Sequence, residues 1–387
     1  MDNTNLYTCP ICGNNDIHSI GYLHGMPYCR RCISFRGQSI EYKESRPEKA
    51  RIYLNYELSK EQTALSNNLL ENYKHGVNSL VFAVCGSGKT EIVLKTIAYV
   101  LSNGGKVGFA IPRVDVVIEI QKRLEDIFKD NKVIAVYGGN TEVLEGDIIC
   151  LTTHQIFRYD HYFDLLILDE VDAFPYKGNE TLEHLVLRSI RGVFIQMSAT
   201  ASLEQQDFYR NNGWSILTLD KRYHGHPLPV PKVITKSTPL MYLELYRQLK
   251  HFEERHKQVF VFVPTIDMSE RIYMVFKHLI KKVKVIHSKK SDRKQIIEDF
   301  KQGKIQTLFT TSVLERGVTV KDLQVIVFNA DSKIYDRAML IQISGRVGRK
   351  KEAPEGEVIF IANKNTREIQ ECIKDIRKRN KSLSDML

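Results

Sequence analysis

From Leu80 onward the chain alternates short apolar runs with amphipathic stretches. The runs Leu80–Val84, Val107–Ile111, Val133–Tyr137, Ile148–Leu151, Leu165–Leu168 and Val193–Met197 are rich in β-branched side chains. Apolar at every position rather than at alternate ones, they predict strands buried on both faces. Between them, Thr90–Asn103 and Val116–Lys129 carry apolar residues at helical spacing, so the unit is a repeated βα and the sheet is parallel. Gly225, Pro227, Pro229 and Pro231 crowd into Arg222–Lys232 and interrupt any helix or central strand. The rhythm then resumes with Val259–Val263, Val283–His287, Thr307–Thr310, Val325–Phe328 and Val358–Ala362, and a basic helix, Arg367–Lys381, follows. The pattern predicts two α/β lobes, 46–221 and 233–387, joined by a linker at 222–232 and preceded by a small module at 1–45.

Composition narrows the class. A chain of 387 residues is too long for one ordinary core. With 43% hydrophobic and 26% charged residues it matches soluble globular proteins, and no run approaches the roughly 18 apolar residues of a spanning helix. Met1–Tyr7 is polar and has no hydrophobic stretch of the secretory kind, which predicts a cytoplasmic protein. A formal net charge of +10 favours a polyanionic partner. Of seven cysteines, four fall near the N-terminus, whereas Cys85, Cys150 and Cys372 stand apart; an odd, clustered set fits a metal better than disulfides.

The first lobe opens on a phosphate cradle. Strand Leu80–Val84 runs into Cys85-Gly86-Ser87-Gly88-Lys89-Thr90 and then a helix. The glycines let backbone N–H groups and the helix N-terminus face phosphate oxygens, Lys89 meets the β and γ phosphates, and the Thr90 hydroxyl binds Mg²⁺. Ala83 stands where the general pattern has its first glycine. Further on, the strand Leu165–Leu168 ends in Asp169-Glu170, at the sheet edge where such folds bind ligands. Asp169 would hold Mg²⁺ and Glu170 would orient the attacking water. Alone, either element could be an ordinary turn or cap; in this order they read as an ATP site.

Cys9-x2-Cys12 and Cys29-x2-Cys32 form two knuckles whose four thiolates can close a tetrahedral Zn²⁺ site. Pro10, Gly13, Arg30 and Arg31 suit a zinc ribbon whose surface touches nucleic acid, and a purely structural metal is the better reading of its chemistry, since thiolate binding energy is folding energy in so small a module.

With Ser198-Ala199-Thr200 after the strand Val193–Met197 and Gln342-Ile343-Ser344-Gly345-Arg346-Val347-Gly348-Arg349 in the second lobe, the chain resembles the superfamily 2 helicases. The resemblance implies two RecA-like parallel-sheet lobes, with Ser198, Thr200 and Gln342 coupling the nucleotide to a nucleic-acid groove. Arg346 and Arg349, three apart and expected on one face of a helix, would reach the γ phosphate when the lobes close. Leu58-Ser59-Lys60-Glu61-Gln62 is similar to the family's glutamine motif, which implies that Gln62 contacts adenine; it also reads as a helix start. Pro112-Arg113, Thr152-Thr153, Pro264-Thr265 and Thr310-Thr311 through Arg316-Gly317, with Gly317 beside the nucleotide, stand where the family grips a sugar-phosphate backbone. Hydroxyls, amides and arginines of that kind fix position without reading bases.

The four-cysteine head, the loop Ala83-Val84-Cys85-Gly86-Ser87-Gly88-Lys89-Thr90 and Asp169-Glu170-Val171-Asp172-Ala173-Phe174-Pro175 together resemble the ComFA family of late competence helicase-like proteins. That resemblance implies a cytoplasmic ATPase at the inner face of the cell membrane, requiring ATP, Mg²⁺ and Zn²⁺. It also implies stimulation by single-stranded DNA and work with a ComFC-type phosphoribosyltransferase-like protein and the membrane DNA-uptake machinery. Two other readings fit the residues. One is an RNA helicase of the DEAD-box kind, since backbone-gripping residues do not separate ribose from deoxyribose. The other is a nucleotide-gated clamp that binds DNA without moving along it.

Overall fold

The computed structural model describes residues 7–384 except positions 34, 36, 45, 46, 48, 84, 85, 171–177, 199–202, 220, 221, 223, 224 and 315–319. The chain divides into two compact units, Met1–Ala83 with Gly88–Leu219 and Asp220–Leu387 with Val84–Ser87.

The N-terminal module is an antiparallel hairpin of β1 (Ile20–Leu23) and β2 (Met26–Cys29). Its turn residues, His24 and Gly25, both have positive φ (51° and 77°), the conformation that matches the twist of a two-residue hairpin. Helix α1 (Lys60–Lys74) follows, opened by a capping box in which the Ser59 hydroxyl accepts from the Gln62 N–H and the Gln62 side chain accepts from the Ser59 N–H.

The rest of the first unit is β3 (Ser79–Ala83), α2 (Lys89–Ser102), β4 (Val107–Ile111), α3 (Val114–Ile127), β5 (Val133–Val136), β6 (Ile148–Thr152), β7 (Phe163–Asp169), α4 (Glu180–Ser189), β8 (Ile190–Ser198), α5 (Leu203–Asn211) and β9 (Ser215–Leu219). Its seven strands lie parallel in the order β5-β6-β4-β7-β8-β3-β9. Alternate residues serve opposite faces. Leu165 and Ile167 pack with Leu65, Ile92, Ile97 and Leu124 of α1–α3 on one side; Leu166 and Leu168 pack with Leu182, Leu185 and Val186 of α4 on the other.

The second unit contains β10 (Lys232–Thr235), α6 (Thr238–Glu254), β11 (Gln258–Phe262), α7 (Ile266–Phe276), β12 (Val283–Ile286), α8 (Arg293–Lys301), β13 (Thr307–Thr310), β14 (Leu323–Phe328), α9 (Arg337–Ser344), β15 (Val358–Ala362) and α10 (Arg367–Ser384). Its strands are parallel in the order β10-β15-β14-β11-β13-β12, with α6 and α7 on one face and α8–α10 on the other. Each expected strand is present within three residues at either end, the largest difference being β8, which begins at Ile190 rather than Val193. The short strands β9 and β10, which flank the proline-rich stretch, were not expected. That stretch is built into the second unit rather than loose: Leu228 sits in its core, and its backbone exchanges hydrogen bonds of 2.9 and 2.8 Å with the Asn380 side chain.

Candidate functional site

The parallel order brings the C-terminal ends of β3, β8 and β7 side by side, because β8 pairs with both neighbours. Past β3, Gly86 and Gly88 both have φ of 82°, a backbone that glycine adopts without strain. Gly88 is the N-cap of α2, so the positive end of the helix, with Lys89 and the buried Thr90 in its first turn, lies at this point. Ser87 is buried beside them. A Cβ at Gly88 would lie 2.3 Å from Gln62 Nε2; the buried Gln62 therefore lies directly against the loop.

At the end of β7, Asp169 Oδ1 accepts from Lys89 Nζ at 3.4 Å and from the Glu170 N–H at 2.8 Å. Glu170 is held at φ 62°, a left-handed conformation uncommon for a non-glycine residue and worth of order 1–3 kcal/mol of strain. A helix N-terminus, an ammonium and two half-buried carboxylates within one strand edge suit a phosphate chain with a divalent cation. Ser198 ends β8 between the two and is buried. Val84, Cys85 and Thr200 lie outside the described residues, as do Val171 to Pro175.

A second group lies on the same edge of the first unit. Pro112 and Arg113 follow β4, and Thr152 ends β6, its neighbour in register with Ile111. Thr153 opens a 3-10 turn, Thr153–Arg158; its hydroxyl is fully buried yet has no hydrogen-bond partner among the described residues. In the second unit Pro264 and Thr265 follow β11 while Thr310 and Thr311 close β13, strands that pair directly. Two of these hydroxyls have local work: Thr265 caps α7 by accepting from the Met268 N–H at 3.1 Å, and Thr310 donates to the Thr311 carbonyl at 3.1 Å. Arg316 and Gly317 lie outside the described residues.

The structure corrects one expectation. Arg346 and Arg349 do not share a helix face: α9 ends at Ser344, and both arginines follow it in a tight turn. Gly348 has φ 67°, and a Cβ there would lie 2.1 Å from the Pro354 carbonyl oxygen, so the glycines that bracket Arg346 end the helix. Arg346 is buried, Arg349 Nε donates to the Gly345 carbonyl at 3.1 Å, and Gln342 is buried on α9.

The four thiols Cys9, Cys12, Cys29 and Cys32 are buried, unbridged, and have their Sγ atoms within 4.8 Å of one another. The Cys9–Cys32 and Cys12–Cys29 separations are 3.8 and 3.7 Å, close to the ~3.8 Å edge of a tetrahedron built on bonds of about 2.3 Å to zinc. Asn14 Nδ2 donates to Cys29 Sγ at 3.6 Å, the outer-shell donor such sites carry. The residues therefore fit a tetrahedral thiophilic metal.

Two family descriptions match parts of the chain: "Type III restriction enzyme, res subunit" over residues 55–203 and "Helicase conserved C-terminal domain" over 241–351. The competence protein ComFA of Bacillus subtilis is 32% identical over 98% of this chain and 86% of its own length; that of Streptococcus pneumoniae is 33% identical over 92% and 86%. The chain belongs to the ComFA family. Its fold is that of the superfamily 2 helicase core: Mss116 bound to single-stranded RNA superposes with a TM-score of 0.64 at 17% identity, covering 82% of this chain and 77% of that one. Yeast Dbp5 bound to RNA gives 0.63 at 16% identity, covering 83% and 91%. This ComFA-family chain is thus two RecA-like lobes with an N-terminal four-cysteine module, an ATP-hydrolysing, helicase-type enzyme with a helicase-like role in competence.

Three features of this ComFA-family lobe pair had no signal in the motifs. Arg222, buried in the second unit, donates to the carbonyls of Gly348 at 2.9 Å and Gly345 at 3.3 Å, clamping the turn that carries Arg346. Beside Gly88, the buried Glu91 accepts from the Tyr56 hydroxyl at 2.6 Å and from the Arg123 guanidinium. The third is a contact between the cysteine module and the turn after β6. Among the described residues, no helix is long and apolar enough to cross a membrane.

Proposed function

We propose that this protein is an ATP-driven single-stranded DNA translocase that draws a strand inward during competence. The observation that carries the reading is the Lys89–Asp169 pair at 3.4 Å, which joins the helix that opens at Gly88 to the carboxylate edge of β7. Lys89 and the α2 N-terminus bind and orient the phosphates, with Gly86, Ser87 and Gly88 shaping the cradle and Gln62 on adenine. Mg²⁺, held by Thr90 and Asp169, would neutralise phosphate charge. Glu170 orients the attacking water, its left-handed backbone turning the carboxylate away from the line of the strand. Arg346 and Arg349 stabilise the transferred phosphoryl group. Pro112, Arg113, Thr153, Pro264, Thr265, Thr310 and Thr311 hold the strand's backbone, and Ser198, Thr200 and Gln342 relay the nucleotide state to them. Zn²⁺ on Cys9, Cys12, Cys29 and Cys32 supplies folding energy to the module.

In this reading the functional division is 1–45, 46–221 and 222–387, the stretch 222–232 that the sequence offers as a linker being seated in the second unit. Family membership supports a cytoplasmic place at the inner membrane face with a ComFC-type partner and the uptake machinery.

The test is ATP turnover with matched DNA and RNA oligomers, followed by displacement of a blocked, tailed single strand. Stimulation by DNA together with displacement is expected; preference for RNA instead establishes the DEAD-box-like alternative, and binding without stimulated phosphate release establishes a clamp. Lys89→Ala should reduce turnover at least ~100-fold while strand binding survives, because only a phosphate contact is removed. Normal hydrolysis by that variant would remove Lys89 from the site.

A further inference from the structure

The cysteine module is fastened to two particular parts of the first lobe. Arg31, inside the second knuckle, pairs with Glu180 at the start of α4 at 3.6 Å, and Gly13 of the first knuckle packs so close to His184 of α4 that a Cβ would meet the ring at 2.6 Å. The larger attachment is to the 3-10 turn after β6. Phe35, whose N–H donates to the Cys32 carbonyl at 2.8 Å, lays its ring over His154 with centroids 6.1 Å apart and planes 18° apart. It meets Phe157 edge-on, also at 6.1 Å. At the far end of the turn Arg158 donates to the Gln38 carbonyl at 2.7 Å, and the Ile40 N–H donates to the Arg158 carbonyl at 3.0 Å. His154 follows directly on Thr153, whose buried hydroxyl has no hydrogen-bond partner among the described residues. The turn is thus held at its second, fifth and last residues by chain that issues from the second knuckle.

We infer that the Phe35–His154 stack is a positioning contact through which the four-cysteine module braces the Thr153–Arg158 turn for strand binding. The module then acts on nucleic acid through lobe 1 without having to touch the strand. A 3-10 turn of six residues is a marginal element by itself, and the knuckle supplies the rigidity that its own backbone lacks. Phe35 and His154 are positioning residues, and neither needs to contact ATP. The inference rests on the reading above that the turn after β6 grips a strand.

Two variants separate the brace from simple packing. Phe35→Ala removes the ring; Phe35→Leu keeps apolar bulk against Phe157 but removes the flat face from His154. The readouts are strand affinity by fluorescence anisotropy with an oligo-dT probe in the absence of turnover, basal ATP KM and kcat, and zinc content. A lost aromatic pair predicts that Phe35→Leu binds the probe roughly 3- to 10-fold more weakly, with one zinc per chain and unchanged basal KM and kcat. Phe35→Ala should do so at least as strongly. Unchanged affinity in Phe35→Leu overturns the brace, as does a basal kcat that falls in proportion to affinity. Should Phe35→Ala also release zinc, Phe35→Leu decides. A Thr153→Ala control distinguishes the two levels: if it binds oligo-dT normally, the strand-gripping role of the turn fails. If Thr153→Ala weakens binding while Phe35→Leu does not, only the brace fails.

Discussion

Arg222→Ala offers the sharpest test of how the second lobe presents its arginines. Arg222 is 2% exposed and directs one guanidinium nitrogen to the Gly348 carbonyl at 2.9 Å and another to the Gly345 carbonyl at 3.3 Å. Gly345 keeps a second donor, Arg349 Nε at 3.1 Å, so the loss falls mainly on Gly348, at a residue already in the left-handed region. A hydrogen bond from a charged donor contributes about 1.5–3 kcal/mol; with the weaker one included, holding the turn loses about 3 kcal/mol. If Arg346 and Arg349 must be in that turn for phosphoryl transfer, the same 3 kcal/mol enters the barrier and kcat falls on the order of 100-fold. ATP KM should stay within roughly threefold, because ground-state phosphate binding resides on the Lys89 side. Arg222→Lys, a point charge that reaches one carbonyl at a time, should lie between. Steady-state phosphate release measured in parent and Arg346→Ala backgrounds is the deciding assay. Arg222→Ala should add almost nothing once Arg346 is gone; full losses in both backgrounds would show that Arg222 acts elsewhere.

Other outcomes follow from single contacts. Gly88→Ala forces φ 82° on a residue with a Cβ placed 2.3 Å from Gln62 Nε2; strain of about 1–2 kcal/mol plus displacement of Gln62 should raise the Kd for a fluorescent ATP analogue roughly tenfold or more. Serine at both Cys9 and Cys12 should lower zinc to below one atom per chain and unfold the module by limited proteolysis, with basal turnover less affected; full zinc by elemental analysis would contradict a four-thiolate site. Burial lowers the pKa of His154, so the folded chain binds fewer protons there than the unfolded one as pH drops through about 6.5. Stability of the first lobe should therefore be flat above that pH and decline below it, and His154→Phe, which keeps a stacking ring, should give a shallower slope of melting temperature between pH 7.5 and 5.5.

Much of the scaffold is readable because buried parallel strands leave a strong signal. Val107–Ile111, Thr307–Thr310 and Val358–Ala362 are strands over the very residues the apolar runs predict. The misses have local causes. β9 and β10 are sheet edges, only partly buried, so their Ser, Thr and Lys positions dilute the run. The helix imagined under Arg346 and Arg349 stops because Gly345 and Gly348 favour a cap and a left-handed turn over helix continuation, a clue present in the spelling itself. Ser59-Lys60-Glu61-Gln62 reads both as a helix start and as a nucleotide contact; the structure shows the helix start, with Gln62 closing the capping box, and places Gln62 against Gly88. The clamp of Arg222 and the stack of Phe35 on His154 join residues remote in sequence, and no periodicity or motif spacing encodes such pairs.

The proline-rich stretch bears on how the lobes can be separated. Since Arg222 and Leu228 are both seated in the second unit, a fragment begun at Lys232, where the regular structure resumes, would leave a hole beside Asn380 and strip the Gly345–Gly348 turn of its guanidinium. An isolated C-terminal half that is meant to fold should start upstream of Arg222, and any protease that nicks between Arg222 and Leu228 should inactivate the enzyme without releasing two healthy halves.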